Sequence, residues 1–289
     1  MDLESFNTSR ESLVPLLALN NKSNKNIIIF PTDKEAIEFS TDFSNLNKNI
    51  FHLPSWDTLS YDSFVPSFDI QGKRLEIAHL LLTNNNYNIA TSIKAISQRI
   101  YFEELEICKI ELNEEIDFDS LIENLIHLKY QRKDRVESKG SFAVRGGQLD
   151  VYPINYDLPL RVIFDGDLVN EIKTFDTISQ RSVSEKKDIL IVPATELFQI
   201  KHSDILNLSS NKKENLDDYE LFQYSQSLDL EKCLLDLTSN VALHIVDKNI
   251  VDNQLKEIID IEKDTFENLK QYFSLEIRNF KSRYKDISK

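Results

Sequence analysis

The sequence predicts an α/β protein: a parallel-sheet domain carrying an inserted small β-rich α+β domain. Three observations predict it. Short apolar runs at 27–30, 50–53 and 88–92 alternate with helical patterns, the order expected of a parallel sheet. Four of the five glycines, Gly140, Gly146, Gly147 and Gly166, fall within residues 140–176, among alternating apolar and polar positions. The run Ile189-Leu190-Ile191-Val192 before Pro193-Ala194-Thr195-Glu196 echoes the apolar strand, proline and threonine of residues 27–35. That echo predicts a chain returning to its first layer. The expected organisation is therefore 1–105, an insertion at 106–193, and a returning part at 194–289 that ends in a long helix.

Residues 1 to about 25 end in a polar tract and read as a loop. Ile27-Ile28-Ile29-Phe30 is a buried-strand pattern. Thr32 followed by Glu35 is a capping-box signature, so a helix should begin there. Residues 70–82 form an amphipathic helix with Leu75, Ala78, His79 and Leu82 on one side. Residues 101–123 hold nine acidic residues against one base, a solvated face. Ser120-Leu121-Ile122-Glu123 reads as a second capping box, its helix turning Leu121, Ile122, Leu125 and Leu128 inward. Residues 129–145 reverse the sign, with six bases against two acids. They form either a polar loop or, through Arg132, Lys133 and Arg135, the electrostatic rim of a site for an acidic partner.

Within 140–176, Phe164-Asp165-Gly166-Asp167-Leu168 places Asp-Gly between apolar runs, a strong hairpin signal. Alternation turns Arg145 and Arg161 away from Val144, Val162 and Phe164. They are either two solvated arginines or a pair of guanidiniums on a rigid sheet, able to grip carboxylates bidentately. Beyond the insertion, residues 203–220 are polar, 241–246 read as a strand, and 252–284 contain neither Gly nor Pro and carry a helical apolar stripe.

Composition narrows the function. The net charge is −14, which opposes a nucleic-acid role for the chain and suits protein partners. Cys108 and Cys233 are the only cysteines and have no metal-ligand spacing. The five histidines are scattered. No G-x-x-x-x-G-K-[ST] occurs, and no glycine precedes Gly72, so the first strand–helix unit lacks the backbone of a phosphate loop. No catalytic constellation, cofactor motif or apolar membrane-spanning run is present, and a cytoplasmic setting is expected.

Arg145-Gly146-Gly147-Gln148-Leu149-Asp150-Val151-Tyr152-Pro153 resembles the R-G-x-[IVL]-[IVL]-D-[IVL]-[FY]-P motif shared by excision-repair protein UvrB and the transcription-repair coupling factor. Leu158 to Val162, Ile172 to Asp176 and Ser179-Gln180-Arg181-Ser182 resemble the coupling factor more closely. Leu53-Pro54-Ser55-Trp56-Asp57-Thr58-Leu59-Ser60-Tyr61-Asp62 resembles that family's W-[DE]-T-L-P-Y-[DE] segment, with Ser60 at the usual proline. The resemblance covers roughly residues 25 to 197. It implies the family's N-terminal UvrB-like module, whose inserted domain binds UvrA and whose parallel-sheet domain lacks the nucleotide site of UvrB. The family's two UvrA-contacting arginines match Arg145 and Arg161. Of its Phe-Phe pair, the first matches Phe164, and the second, a further contact, falls on Asp165. No counterpart of the family's G-[IM]-E-x-[WY]-L-P-L-F-[FY] segment is found in 203–235. RNA polymerase and DNA would be reached only through regions absent here, and the expected chain is a fragment, a split-gene product or a free-standing adaptor. Two alternatives remain: a regulatory domain masking a surface of an ATP-dependent DNA translocase, and a DNA-contacting UvrB-like repair protein.

Overall fold

The computed structural model describes residues 4–8, 24–45, 49–58, 64–200, 232–269 and 285. They fall into two compact units. The first comprises Met1–Pro66, Ile77–Tyr101 and Ile200–Lys289, and the second Ser67–Glu76 and Phe102–Gln199.

The first unit is built on a parallel sheet of five strands: β1 (Glu4–Thr8), β2 (Lys25–Phe30), β3 (Phe51–Leu53), β4 (Tyr87–Ser92) and β13 (Ala242–Val246), in the order β1-β13-β2-β4-β3. β2 is apolar on both faces because both are covered, as parallel sheets require. Ile28 and Phe30 pack with Ala36, Phe39 and Phe43 of helix α1 (Asp33–Ser44). The ring centroids of Phe30 and Phe39 are 5.1 Å apart. The capping box read at Thr32 and Glu35 is present in full. The Glu35 N–H donates to Thr32 Oγ1, and the Thr32 N–H donates to Glu35 Oε2. Asp33, the first residue of α1, accepts from the Ser55 N–H, the Ser55 hydroxyl and, at 2.8 Å, the Ser92 hydroxyl. Ser92 also caps the short helix α3 (Ile93–Ser97) by accepting from the Ala95 N–H. Trp56 is buried and stacks on Tyr101 at 5.7 Å. Helix α5 (Lys248–Leu269) follows β13. The rest of the long C-terminal helical pattern, the 203–220 segment and Ser60 lie outside the described residues. Helix α2 (Phe68–Thr83) gives its first half to the second unit and its remainder to the first.

The second unit holds a six-stranded sheet: β6 (Gln131–Arg132), β7 (Ser141–Arg145), β8 (Gln148–Tyr152), β9 (Leu160–Asp165), β10 (Leu168–Phe175) and β11 (Ser182–Glu185), in sequence order. All its pairings are antiparallel except β6 with β7. The Asp-Gly turn joins β9 to β10, with Gly166 at φ +62°. One sheet face packs Phe142, Leu149, Val151, Leu160 and Val162 against helix α4 (Phe118–His127), which contributes Leu121, Ile122 and Leu125. In α2, Gly72 approaches the backbone of Ile154 so closely that a Cβ there would stand 2.5 Å from the Ile154 carbonyl oxygen. Arg74 and Glu196 form a buried ion pair at 2.9 Å.

Four sequence expectations are corrected. The 189–192 run does not return to the first layer: β12 (Asp188–Ile191) pairs antiparallel with β5 (Cys108–Glu111) in the second unit. Residues 192–200 form no helix, and the Thr195 hydroxyl donates to Gln71 Oε1 instead of capping one. The return comes through β13. Helix α4 begins earlier than Ser120, because Asp117 is its cap and accepts from the Ser120 N–H at 2.7 Å. β1 lies in the N-terminal segment read as a loop.

Candidate partner-binding face

Strand register decides which side chains share the outer face of the six-stranded sheet. Arg145 stands opposite Gln148, and Ala143 opposite Asp150. Asp150 stands opposite Arg161, and Arg161 opposite Lys173. With a period of two, the same alternation that buries Phe142, Leu149 and Val162 places these residues on the other side. Arg145 and Arg161 therefore lie on one face, on neighbouring rows.

Their circumstances differ sharply. The Arg161 guanidinium grips Asp150 bidentately, Nε to Oδ1 at 2.7 Å and Nη2 to Oδ2 at 2.8 Å. Gln148 Nε2 donates to the same two oxygens at 3.0 and 3.1 Å. The guanidinium also lies over the Phe175 ring, 4.4 Å from its centroid. The Arg161 and Asp150 side chains are only 17% and 8% exposed. The Asp150 hydrogen bond raises the Arg161 pKa further, so its charge is fixed. Arg145 is exposed, and among the described residues its hydrogen bond is one from Nη2 to the Asp134 carbonyl at 3.0 Å. The two arginines read alike in the sequence; only Arg145 presents an open guanidinium. Asp150 becomes Arg161's partner through the β8–β9 register, set across the 153–159 connection, where no tight-turn signal in the sequence fixes it.

Phe164 is buried at 6% exposure and meets Phe118 edge-on, with centroids 4.9 Å apart. Its backbone is clamped too, the Phe164 N–H donating to the Gly147 carbonyl at 2.7 Å. Phe164 thus supports the face from beneath. Asp165 is exposed at the β9–β10 turn. Of the basic stretch, Arg132 and Lys133 are exposed. Arg135 turns to the loop of residues 176–181 between β10 and β11, donating from Nη2 to the Thr177 carbonyl at 2.8 Å.

Arg161 holds the other end of that loop. Its Nη1 donates to the Gln180 carbonyl at 3.3 Å and its Nη2 to Gln180 Oε1 at 3.2 Å. Within the loop, Gln180 Nε2 donates to the Thr177 carbonyl and the Ser179 N–H donates to Asp176 Oδ1, both at 2.7 Å. That local bond lowers the Asp176 pKa. The sequence reading named Arg135 and Arg161 for an external partner and missed this internal work.

Elsewhere, burial pushes the thiols of Cys108 and Cys233 up to about 12, leaving both neutral. Among the described residues no group of three or more His, Cys, Asp and Glu could hold a metal ion. No helix among them is long and apolar enough to cross a membrane.

Residues 108–197 match the family model of the UvrB interaction domain. The chain is 29% identical over 174 residues to the transcription-repair-coupling factor of Escherichia coli, an alignment covering 59% of this chain and 15% of the relative. It is 25% identical to the transcription-repair-coupling factor of Bacillus subtilis, covering 86% of this chain and 24% of the relative. It is 23% identical to the UvrABC system protein B of Thermosipho africanus, covering 68% of this chain and 32% of the relative. The chain thus spans less than a third of the length of these relatives. The parallel-sheet unit and the β-rich unit agree with the architecture of a UvrB-like module.

Proposed function

We propose that this chain is a UvrA-binding adaptor of transcription-coupled excision repair, with its contact on the outer face of the six-stranded sheet. One observation carries the reading: residues 108–197 match the UvrB interaction domain, and that span holds the sheet whose outer face leaves Arg145 open. In this reading Arg145 takes a UvrA carboxylate through its planar fork. Arg161 contributes from its fixed position on Asp150, and Asp165 lies at the margin of the same sheet above the buried Phe164. Arg132 and Lys133 add a positive field that aids encounter with an acidic surface. The chain itself carries no catalysis, and contacts to stalled RNA polymerase and to DNA are made through other regions.

The test is surface-plasmon binding of the 289-residue chain to UvrA from the same organism, beside a DNA mobility-shift assay. Saturable one-to-one binding to UvrA without a DNA shift is expected. A chain that shifts DNA in a salt-dependent manner and does not bind UvrA would contradict the proposal.

A further inference from the structure

The loop at 176–181 carries Ile178 at its tip, 87% exposed and the most exposed large hydrophobic among the described residues. A lone exposed isoleucine is ordinary. This one stands on a loop that is set in advance. The loop is fastened from outside by Arg135 and Arg161 and from inside by Asp176 and Gln180. Gln180 holds φ +59°, and the Gln180 N–H donates to the Asp176 carbonyl at 2.8 Å. The next exposed apolar side chain, Val183 at 59%, lies where the β10–β11 register shifts between Thr174 and Phe175. A preset loop offering an apolar side chain needs little ordering when a partner arrives.

The surroundings describe the partner's chemistry. Of the carboxylates around this loop, Asp150 and Glu171 are already paired with Arg161 and Lys173, and Asp176 accepts from the Ser179 N–H within the loop. Arg145 and Arg181 remain exposed. An apolar tip on a unit that also exposes these arginines fits a protein pocket that is apolar within and acidic at its rim. The loop is tied to Arg161, so it is continuous with the face proposed above.

We infer that Ile178 is an apolar anchor of the UvrA contact, seated in such a pocket on UvrA, and that Arg161 is the positioning residue that holds it in place. The inference rests on the UvrA reading and names a determinant outside the arginine pair. Seating an exposed isoleucine in an apolar pocket corresponds to about tenfold or more in affinity, and a carboxylate forced into that pocket costs more.

The experiment is surface-plasmon binding of the full chain to UvrA for Ile178→Ala, Ile178→Asp, Arg145→Ala and Arg161→Ala, with each variant's thermal midpoint measured alongside. Ile178 packs little of its surface within the chain, so its variants keep the wild-type midpoint. Ile178→Ala is expected to weaken binding about tenfold and Ile178→Asp about a hundredfold. The Ile178→Ala loss shrinks in an Arg161→Ala background, where the loop is released, and persists in an Arg145→Ala background. Binding by the wild type that Arg145→Ala weakens but Ile178→Asp leaves within about twofold would overturn the anchor and keep the arginine reading. Failure of the wild type to bind UvrA would overturn both.

Discussion

Asp33 in the parallel-sheet unit and Asp150 in the β-rich unit do similar work with different consequences. Asp33 gathers the Ser55 and Ser92 hydroxyls beside the start of α1, where the positive end of a helix favours a carboxylate. Its hydrogen bonds tie together elements of its own unit. Asp150 gathers Arg161 and Gln148 in a largely buried cluster on the outer sheet face, and through Arg161 it also holds a loop. Beside it, Arg145 stays open to solvent. Both carboxylates organise hydrogen bonds, but only Asp150 does so on the sheet face that also carries the exposed Arg145. Substitution at Asp33 should therefore register as stability alone, and substitution around Asp150 as stability and binding together.

Asp150→Ala offers the sharpest break. It strands the Arg161 guanidinium, which is 17% exposed. Stranding one partner of a fully buried pair costs about 3–5 kcal/mol, and partial exposure reduces that to about 2–3 kcal/mol. Chemical denaturation should show this loss with an unchanged slope, and UvrA binding should weaken because the 176–181 loop loses its hold. Asp33→Ala is expected to cost about 1–2 kcal/mol by removing the acceptor of both hydroxyls and of the Ser55 N–H, with UvrA affinity unchanged. Weakened binding by Asp33→Ala at full folding would erase the contrast between the units. The smallest equilibrium effect belongs to Arg132 and Lys133. Neutralising both should slow association and flatten its salt dependence, while dissociation stays as in the wild type. Association kinetics at several ionic strengths read this directly.

Local signals in the sequence reached some of these features and not others. The Thr32–Glu35 box and the Asp165–Gly166 turn are complete within a few residues, so they could be read from the chain alone. The fate of Ile189-Leu190-Ile191 could not. An apolar run alone does not say whether it pairs parallel or antiparallel, or with which strand, and β12 was claimed by the distant β5. At α4, Asp117 and Ser120 both offer capping oxygens three residues apart. The helix starts at Phe118, whose ring meets Phe164, and this makes Asp117 the cap. Period-two alternation placed Arg145 and Arg161 on one face correctly. It says nothing of what stands across the ladder, and register is what gave Arg161 to Asp150 and left Arg145 open.

The central claim is that the outward guanidinium of Arg145 is a contact for UvrA, and surface-plasmon binding of Arg145→Ala against UvrA from the same organism tests it most directly. Arg145 is exposed and bonds only to a carbonyl in the described structure, so the variant should keep the wild-type thermal midpoint. Loss of a desolvated charge contact corresponds to about 2–5 kcal/mol, at least about thirtyfold in the dissociation constant. Arg145→Lys should recover part of it, because lysine keeps the charge without the planar fork. A folded Arg145→Ala variant that binds UvrA within about threefold of the wild type would contradict the account.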